Sequence, residues 1–127
     1  MVGRILVVDD DHVIRRLLKD FFEFFGYEVL CLERARDALS RIEVEYFDIV
    51  ITDYSMPDMN GIEFARMARQ IKPSLPIIGI SATSNARGFM DAGANHFITK
   101  PFELRQMKEV VETQMKAKLH PPRIAPE

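Results

Sequence analysis

The sequence predicts an α/β fold in which five parallel strands alternate with five helices. Two observations predict it. The short runs at residues 5–8, 49–52 and 77–80 are almost wholly apolar rather than alternating, as in strands buried on both faces. Between them lie stretches whose apolar residues recur every three or four positions, the pattern of helices with one buried face. Strict alternation calls for right-handed crossovers that put helices on both faces of one sheet. Five such strands fit the flavodoxin-like doubly wound order 2-1-3-4-5.

Each element follows in turn. Residues 4–8 form the first strand. Asp11 is placed to cap a helix over 12–25, with Ile14, Leu17, Leu18, Phe21 and Phe25 at helical spacing and Gly26 as its stop. On this reading Phe21 and Phe25 turn inward together, while Val13 and Phe24 fall off the buried face. Residues 28–32 form the second strand and carry the sole cysteine, Cys31, expected as a buried, inert thiol. Ala35, Ala38, Leu39 and Ile42 mark a short second helix. The third strand, 49–52, runs into Asp53. The loop 54–60 contains Pro57 and leads to Gly61, and Ile62, Phe64, Ala65, Ala68 and Ile71 make a third helix stopped by Pro73. The fourth strand, 76–81, ends in Ser81. A weak helix at about 86–92 has Gly88 inside it and closes at Gly93. The fifth strand, 97–99, leads into Lys100-Pro101, and Leu104, Met107, Val111 and Met115 set the last helix, to about residue 118. Residues 1–119 are therefore expected to form one domain. Residues 120–127, with Pro121, Pro122 and Pro126, read as a frayed end or linker.

A chain of 127 residues with 47% apolar and 28% charged residues fits one soluble domain with a proper core. Seventeen Lys and Arg against nineteen Asp and Glu leave a net charge of -2, with no basic surplus to favour direct nucleic acid binding. No apolar run approaches the roughly 20 residues of a membrane span. One early Arg, a short apolar run and then three acids do not make a signal peptide. One cysteine forms no internal disulfide. Together these features predict a cytoplasmic protein. His12, His96 and His120 share no ligand spacing and are expected at the surface.

In a parallel sheet every strand delivers its carboxyl end to the same edge. Asp9, Asp10, Asp53, Ser81 and Lys100 should converge there. Adjacent carboxylates repel one another, so their clustering argues for a cation. Mg²⁺ takes one or two carboxylates plus water and phosphate oxygens. Asp10 and Asp53 suit direct ligation, and Asp9 suits it directly or through water. A carboxylate is also a nucleophile toward phosphorus, giving an aspartyl phosphate. Ser81 could then donate a hydrogen bond to one phosphoryl oxygen, and Lys100 could neutralise another.

The segments ILVVDDD (5–11), FDIVITDYSMPDMNGIEF (47–64), PIIGISA (76–82) and DAGANHFITKPF (91–102), with the closing helix, resemble the receiver domain of bacterial two-component response regulators. The likeness covers about residues 4–118 and is similar to the single-domain chemotaxis type. It implies Asp53 as phosphoacceptor, Asp9 and Asp10 as the acidic Mg²⁺ pair, and the Ser55 backbone carbonyl as a further metal ligand. It implies Ser81 as the hydroxyl, Lys100 as the lysine, Phe97 as the aromatic switch position, and a cis bond between Lys100 and Pro101. The implied partner is a sensor histidine kinase or phosphotransfer protein, with small donors such as acetyl phosphate as substitutes. The downstream target or output domain is not indicated. The implied protein is a phosphoacceptor switch rather than a turnover enzyme.

Two departures from the family pattern carry expectations. The interval from Ser81 to Lys100 is shorter than usual by roughly one helical turn, so the fourth helix should be truncated or irregular, and the output surface altered with it. The positions two beyond Asp53 and two beyond Ser81 are Ser55 and Thr83, neither an acid nor an amide, so hydrolysis of the phosphoaspartate should be slow. Two rival readings exist. Asp9-Asp10-Asp11-His12-Val13 also fits the motif of haloacid-dehalogenase-like phosphatases, with Asp9 as nucleophile and Asp11 as acid/base, although that reading leaves Asp53 without a role. A receiver used only as an interaction module is the other. Val13 and Phe24 would provide an exposed apolar spot beside the pocket, suited to docking a kinase.

Overall fold

The structure is a computed structural model that describes residues 1–119; the expected Pro-rich tail, including His120, lies outside the described residues. Five parallel strands pair in the order β2-β1-β3-β4-β5, as the alternation predicted. They are β1 (Arg4–Val8), β2 (Glu28–Leu32), β3 (Ile49–Asp53), β4 (Ile77–Ser81) and β5 (His96–Thr99), and five helices follow them in alternation. These are α1 (His12–Phe24), α2 (Ala35–Val44), α3 (Gly61–Ile71), α4 (Ala86–Asp91) and α5 (Leu104–Leu119).

Because side chains alternate along a strand, each run divides between two cores. Leu6, Val8, Val50 and Ile77 meet α2, α3 and α4 on one face. Ile5, Val7, Ile49, Ile51, Ile78, Ile80 and Ile98 meet α1 and α5 on the other. Both faces are covered, which is why β3 and β4 are apolar up to their carboxyl ends and buried along their whole length.

Asp11 caps α1 as expected, its carboxylate accepting from Val13 N at 2.9 Å. Beyond the helix Gly26 takes φ +90°, a conformation that a residue with a Cβ adopts only under strain. The buried face of α1 differs from the expected one. Leu18 and Phe22 are fully buried, Phe21 is partly so, and Phe25 is 38% exposed with Lys108 Nζ over its ring. Apolar residues fill two adjacent helical rows here, and the row Ile14, Leu18, Phe22 faces the sheet. Cys31 is half-buried rather than buried, because β2 is an edge strand. Burial raises its thiol pKa all the same, which fits an unreactive group.

The fourth helix is short, with six residues. It stays docked through Phe89, which is fully buried and packs over Gly79 of β4. The far end of α4 is held separately. Arg69, from α3, donates to the Gly93 carbonyl from both Nε (3.1 Å) and Nη2 (2.6 Å). It also donates to Asn95 Oδ1 (2.8 Å) and to the Pro73 carbonyl (2.9 Å).

Candidate functional site

Three carboxylates meet at the carboxyl edge of the sheet. Asp9 and Asp10 follow β1, and Asp53 is the last residue of β3; one oxygen from each lies within 4.8 Å of the others. β1 and β3 are neighbours, paired Val8 with Thr52, so the residues just past that pair are brought side by side. Asp9 is fully buried, Asp53 nearly so, and Asp10 is exposed.

Lys100 reaches across from the end of β5 with Nζ 3.0 Å from Asp53 Oδ1 and 3.4 Å from Asp9 Oδ2. The Lys100-Pro101 bond is cis, as the resemblance implied. Burial alone would lower the Lys100 pKa; the hydrogen bond to Asp53 and the charge of Asp9 outweigh it, so the ammonium stays charged. Asp9 shows the opposite balance. Burial pushes its pKa up to about 6, and the Asp53 charge adds to this, against the Asp11 backbone N–H and Lys100. One ammonium therefore does not offset the cost of holding a buried carboxylate beside a second one. A divalent cation would, and an all-oxygen donor set of this kind suits Mg²⁺.

Ser81 is buried at the end of β4, whose neighbour across the sheet is β3. Its Oγ accepts from Thr83 N (3.1 Å) and from Asn85 Nδ2 (3.0 Å), and lies 3.2 Å from Thr83 Oγ1. The hydroxyl is thus engaged by the turn that leads into α4. Ser55 lies exposed in the loop after β3. Phe97 is half-buried on β5 with its ring 5.7 Å from that of Phe89. Asp11, the acid/base of the phosphatase reading, is occupied as the cap of α1, and the carboxylate cluster is made by Asp9, Asp10 and Asp53 without it.

Two residues at this edge escaped the sequence reading. Asp58, in the β3–α3 loop, accepts from Ala35 N (3.1 Å) and Arg36 N (2.8 Å) and so caps α2, whose own N-cap Arg34 offers no side-chain acceptor. Burial pushes the Asp58 carboxyl up, but backbone N–H groups, led by Arg36, outweigh it and hold the pKa below the usual range. The loop bearing Ser55 is thereby tied to α2. Asn85 is the second. It sits at the start of α4, where Asn normally caps, yet its amide turns back to Ser81 and Thr83.

The exposed apolar residues Val13 and Phe24 lie at opposite ends of α1 and do not form one spot beside the pocket. Thirteen residues at about 1.5 Å each make α1 about 20 Å long, so Phe24, although 82% exposed, stands at the end away from the carboxylates. Val13 and Leu17 stand near the pocket and are exposed. Leu17 lines a groove of about 330 Å³ with Ile14, Ala82, Lys100, Pro101 and Phe102.

The family model described as response regulator receiver domain matches residues 5–112. The response regulator receiver protein CpdR of Brucella abortus is 35% identical over 88% of this chain and 96% of its own length. The transcriptional regulatory protein CrdR of Helicobacter pylori is 31% identical over 85% of this chain but 53% of its own. The chain thus spans about half the length of some curated relatives. Among solved structures, a CheY-like receiver domain protein from Methanospirillum hungatei superposes with a TM-score of 0.81 at 34% identity, covering 91% of this chain and 98% of that one. TrrA from Thermotoga maritima, solved in complex with Mg(2+)-BeF, gives 0.81 at 36% identity, covering 88% and 98%.

Proposed function

Because this chain belongs to the response regulator receiver domain family, we propose that it is a cytoplasmic phosphoacceptor switch in which Asp53 receives a phosphoryl group. A sensor histidine kinase or phosphotransfer protein is the donor. The observation that carries this reading is the convergence of Asp9, Asp10 and Asp53 on one edge with Lys100 paired to Asp53.

A carboxylate oxygen of Asp53 attacks phosphorus. The bond from phosphorus to the donor breaks, and the donor leaves as neutral histidine, or as acetate from acetyl phosphate. Lys100 already touches the attacking carboxylate and is placed to neutralise charge that develops on the phosphoryl oxygens. Ser81 supplies a neutral donor from the neighbouring strand. Asp9, Asp10, Asp53 and the Ser55 carbonyl would hold Mg²⁺, which supplies charge neutralisation for the transferring group. Water later attacks the same phosphorus, releasing inorganic phosphate and restoring Asp53. The phosphoryl group biases a two-state equilibrium, read at Phe97 and α4, rather than driving repeated turnover. The direct test is intact mass after incubation with acetyl phosphate and Mg²⁺.

In metal-free buffer near pH 8, Asp9→Asn is expected to stabilise the fold by about 1 kcal/mol or more, because it removes a buried, underpaired charge while keeping an acceptor for the Asp11 N–H. The same variant should weaken Mg²⁺ binding. Thermal melts with and without Mg²⁺ measure both effects, and a lower melting temperature in metal-free buffer would contradict the reading.

Docking belongs to the α1 end that carries Val13 and Leu17. Leu17→Glu is expected to slow transfer from a protein donor about tenfold while leaving acetyl phosphate transfer unchanged, since one buried apolar anchor is typically worth 1–3 kcal/mol. Equal loss with both donors would place Leu17 in the fold or the chemistry rather than in docking.

A further inference from the structure

Asn85 occupies the position before α4 and belongs to the residue types that cap helices best. It makes no side-chain cap. Its backbone, at φ −106° and ψ 10°, lies outside the extended region that capping requires. The amide nitrogen spends both hydrogens elsewhere, on Ser81 Oγ at 3.0 Å and Thr83 Oγ1 at 2.8 Å. A first turn of a six-residue helix is left without this cap so that a buried serine can be held.

The hydrogen-bond capacity of Ser81 shows what the holding does. A serine hydroxyl accepts two hydrogen bonds and donates one. Here both acceptor positions are filled, by Thr83 N and Asn85 Nδ2. Thr83 Oγ1, at 3.2 Å, is the nearest neighbour for the remaining hydrogen. Every one of these partners belongs to residues 83–85, whereas the reacting carboxylate, Asp53, is engaged by Lys100. With both lone pairs held, the hydroxyl hydrogen is directed at Thr83, and turning it to a phosphoryl oxygen means giving up at least one of these bonds. A charged phosphoryl oxygen is an acceptor about twice as strong as a neutral one, which is enough to compete.

We infer that Asn85 is a positioning residue for the chemistry at Asp53: its side-chain amide holds the Ser81 hydroxyl in the β4–α4 turn, and the phosphorylated state forms at the expense of that bond. The inference rests on Asp53 as the phosphoacceptor and assigns to this chain a restraint that acts through Ser81. The residue does not touch the transferred group.

The test uses the full chain, beryllofluoride and saturating Mg²⁺, with binding measured by titration. Asn85→Ala is expected to tighten the apparent Kd for beryllofluoride about 3- to 10-fold, the effect of removing one or two neutral hydrogen bonds that compete with binding. In a Ser81→Ala background the same change is expected to have no effect, because the group being held is gone. Melting curves check that each variant is folded. An unchanged or weaker Kd for Asn85→Ala, or an equal shift in both backgrounds, would overturn the inference. Mass gain on wild-type protein treated with acetyl phosphate separates the two levels. If it is absent, the phosphoacceptor reading falls and this inference with it; if it is present, those outcomes defeat the inference alone.

Discussion

Asp53→Asn is expected to abolish the mass gain of about 80 Da that one phosphoryl group adds to the wild-type chain in acetyl phosphate and Mg²⁺. The carboxamide is not a nucleophile toward phosphorus at neutral pH, so the loss should be complete rather than partial. The fold should survive, because Lys100 keeps a carboxylate partner in Asp9 at 3.4 Å and the change removes one of three clustered acids. Chelation of Mg²⁺ should suppress the gain in wild-type protein as well, since the uncompensated acids repel an incoming anionic donor. Once the donor is removed, the wild-type adduct should persist for minutes. Neither Ser55 nor Thr83 carries an acid or amide to orient the attacking water. An equal mass gain in Asp53→Asn would move the phosphoacceptor elsewhere, and loss of the adduct within seconds would refute slow hydrolysis.

Phe89→Ala is expected to cost about 3–5 kcal/mol, the largest stability effect foreseen for one side chain outside the site. Phe89 is wholly buried, and it anchors a helix of six residues, far too short to persist without tertiary packing. Its ring also meets Tyr54 edge-on and Phe97 at a tilt. The space it fills exists because position 79 lacks a side chain: a Cβ on Gly79 would come within 2.6 Å of the ring. Gly79→Val alone should therefore destabilise by about 1–3 kcal/mol through overpacking. In the Phe89→Ala background the same valine should recover part of the loss, because it enters the vacated space. Denaturant midpoints with unchanged m-values measure each corner of this cycle. Strictly additive losses would show that the two positions do not share a cavity.

The strands were legible because a doubly covered parallel sheet leaves uniform apolar runs, and the pocket was legible because its residues sit where those runs stop. Asp9, Asp10, Asp53, Ser81 and Lys100 needed only the parallel topology to be brought to one edge. The face of α1 was not legible in the same way. Leu17 with Leu18, and Phe21 with Phe22, offer two adjacent apolar rows, and tertiary packing chose the row through Leu18 and Phe22. The half-exposure of Cys31 follows from the edge position of β2, which depends on strand order rather than on the local run. Asp58 looked like an ordinary turn residue because the amides it caps lie 22 and 23 residues away. Asn85 carried the signal of a helix start, and nothing local reveals that its amide points backward.

The two ends of α4 are secured differently. Just past its last turn the Gly93 carbonyl is gripped by two nitrogens of Arg69. Its first turn meets the pocket through the Asn85 amide on Ser81. In mechanical terms the helix is a short lever: Arg69 is the fulcrum, Ser81 the latch at the opposite end, and the outer surface of α4 the arm that a partner would feel. Withdrawal of that hydroxyl then releases the first turn while the far end stays gripped, and the helix answers as a tilt, since hinge motion concentrates at the few residues left free to turn. Shortening a lever trades reach for stiffness, so this chain should transmit a small, firm displacement to its partner.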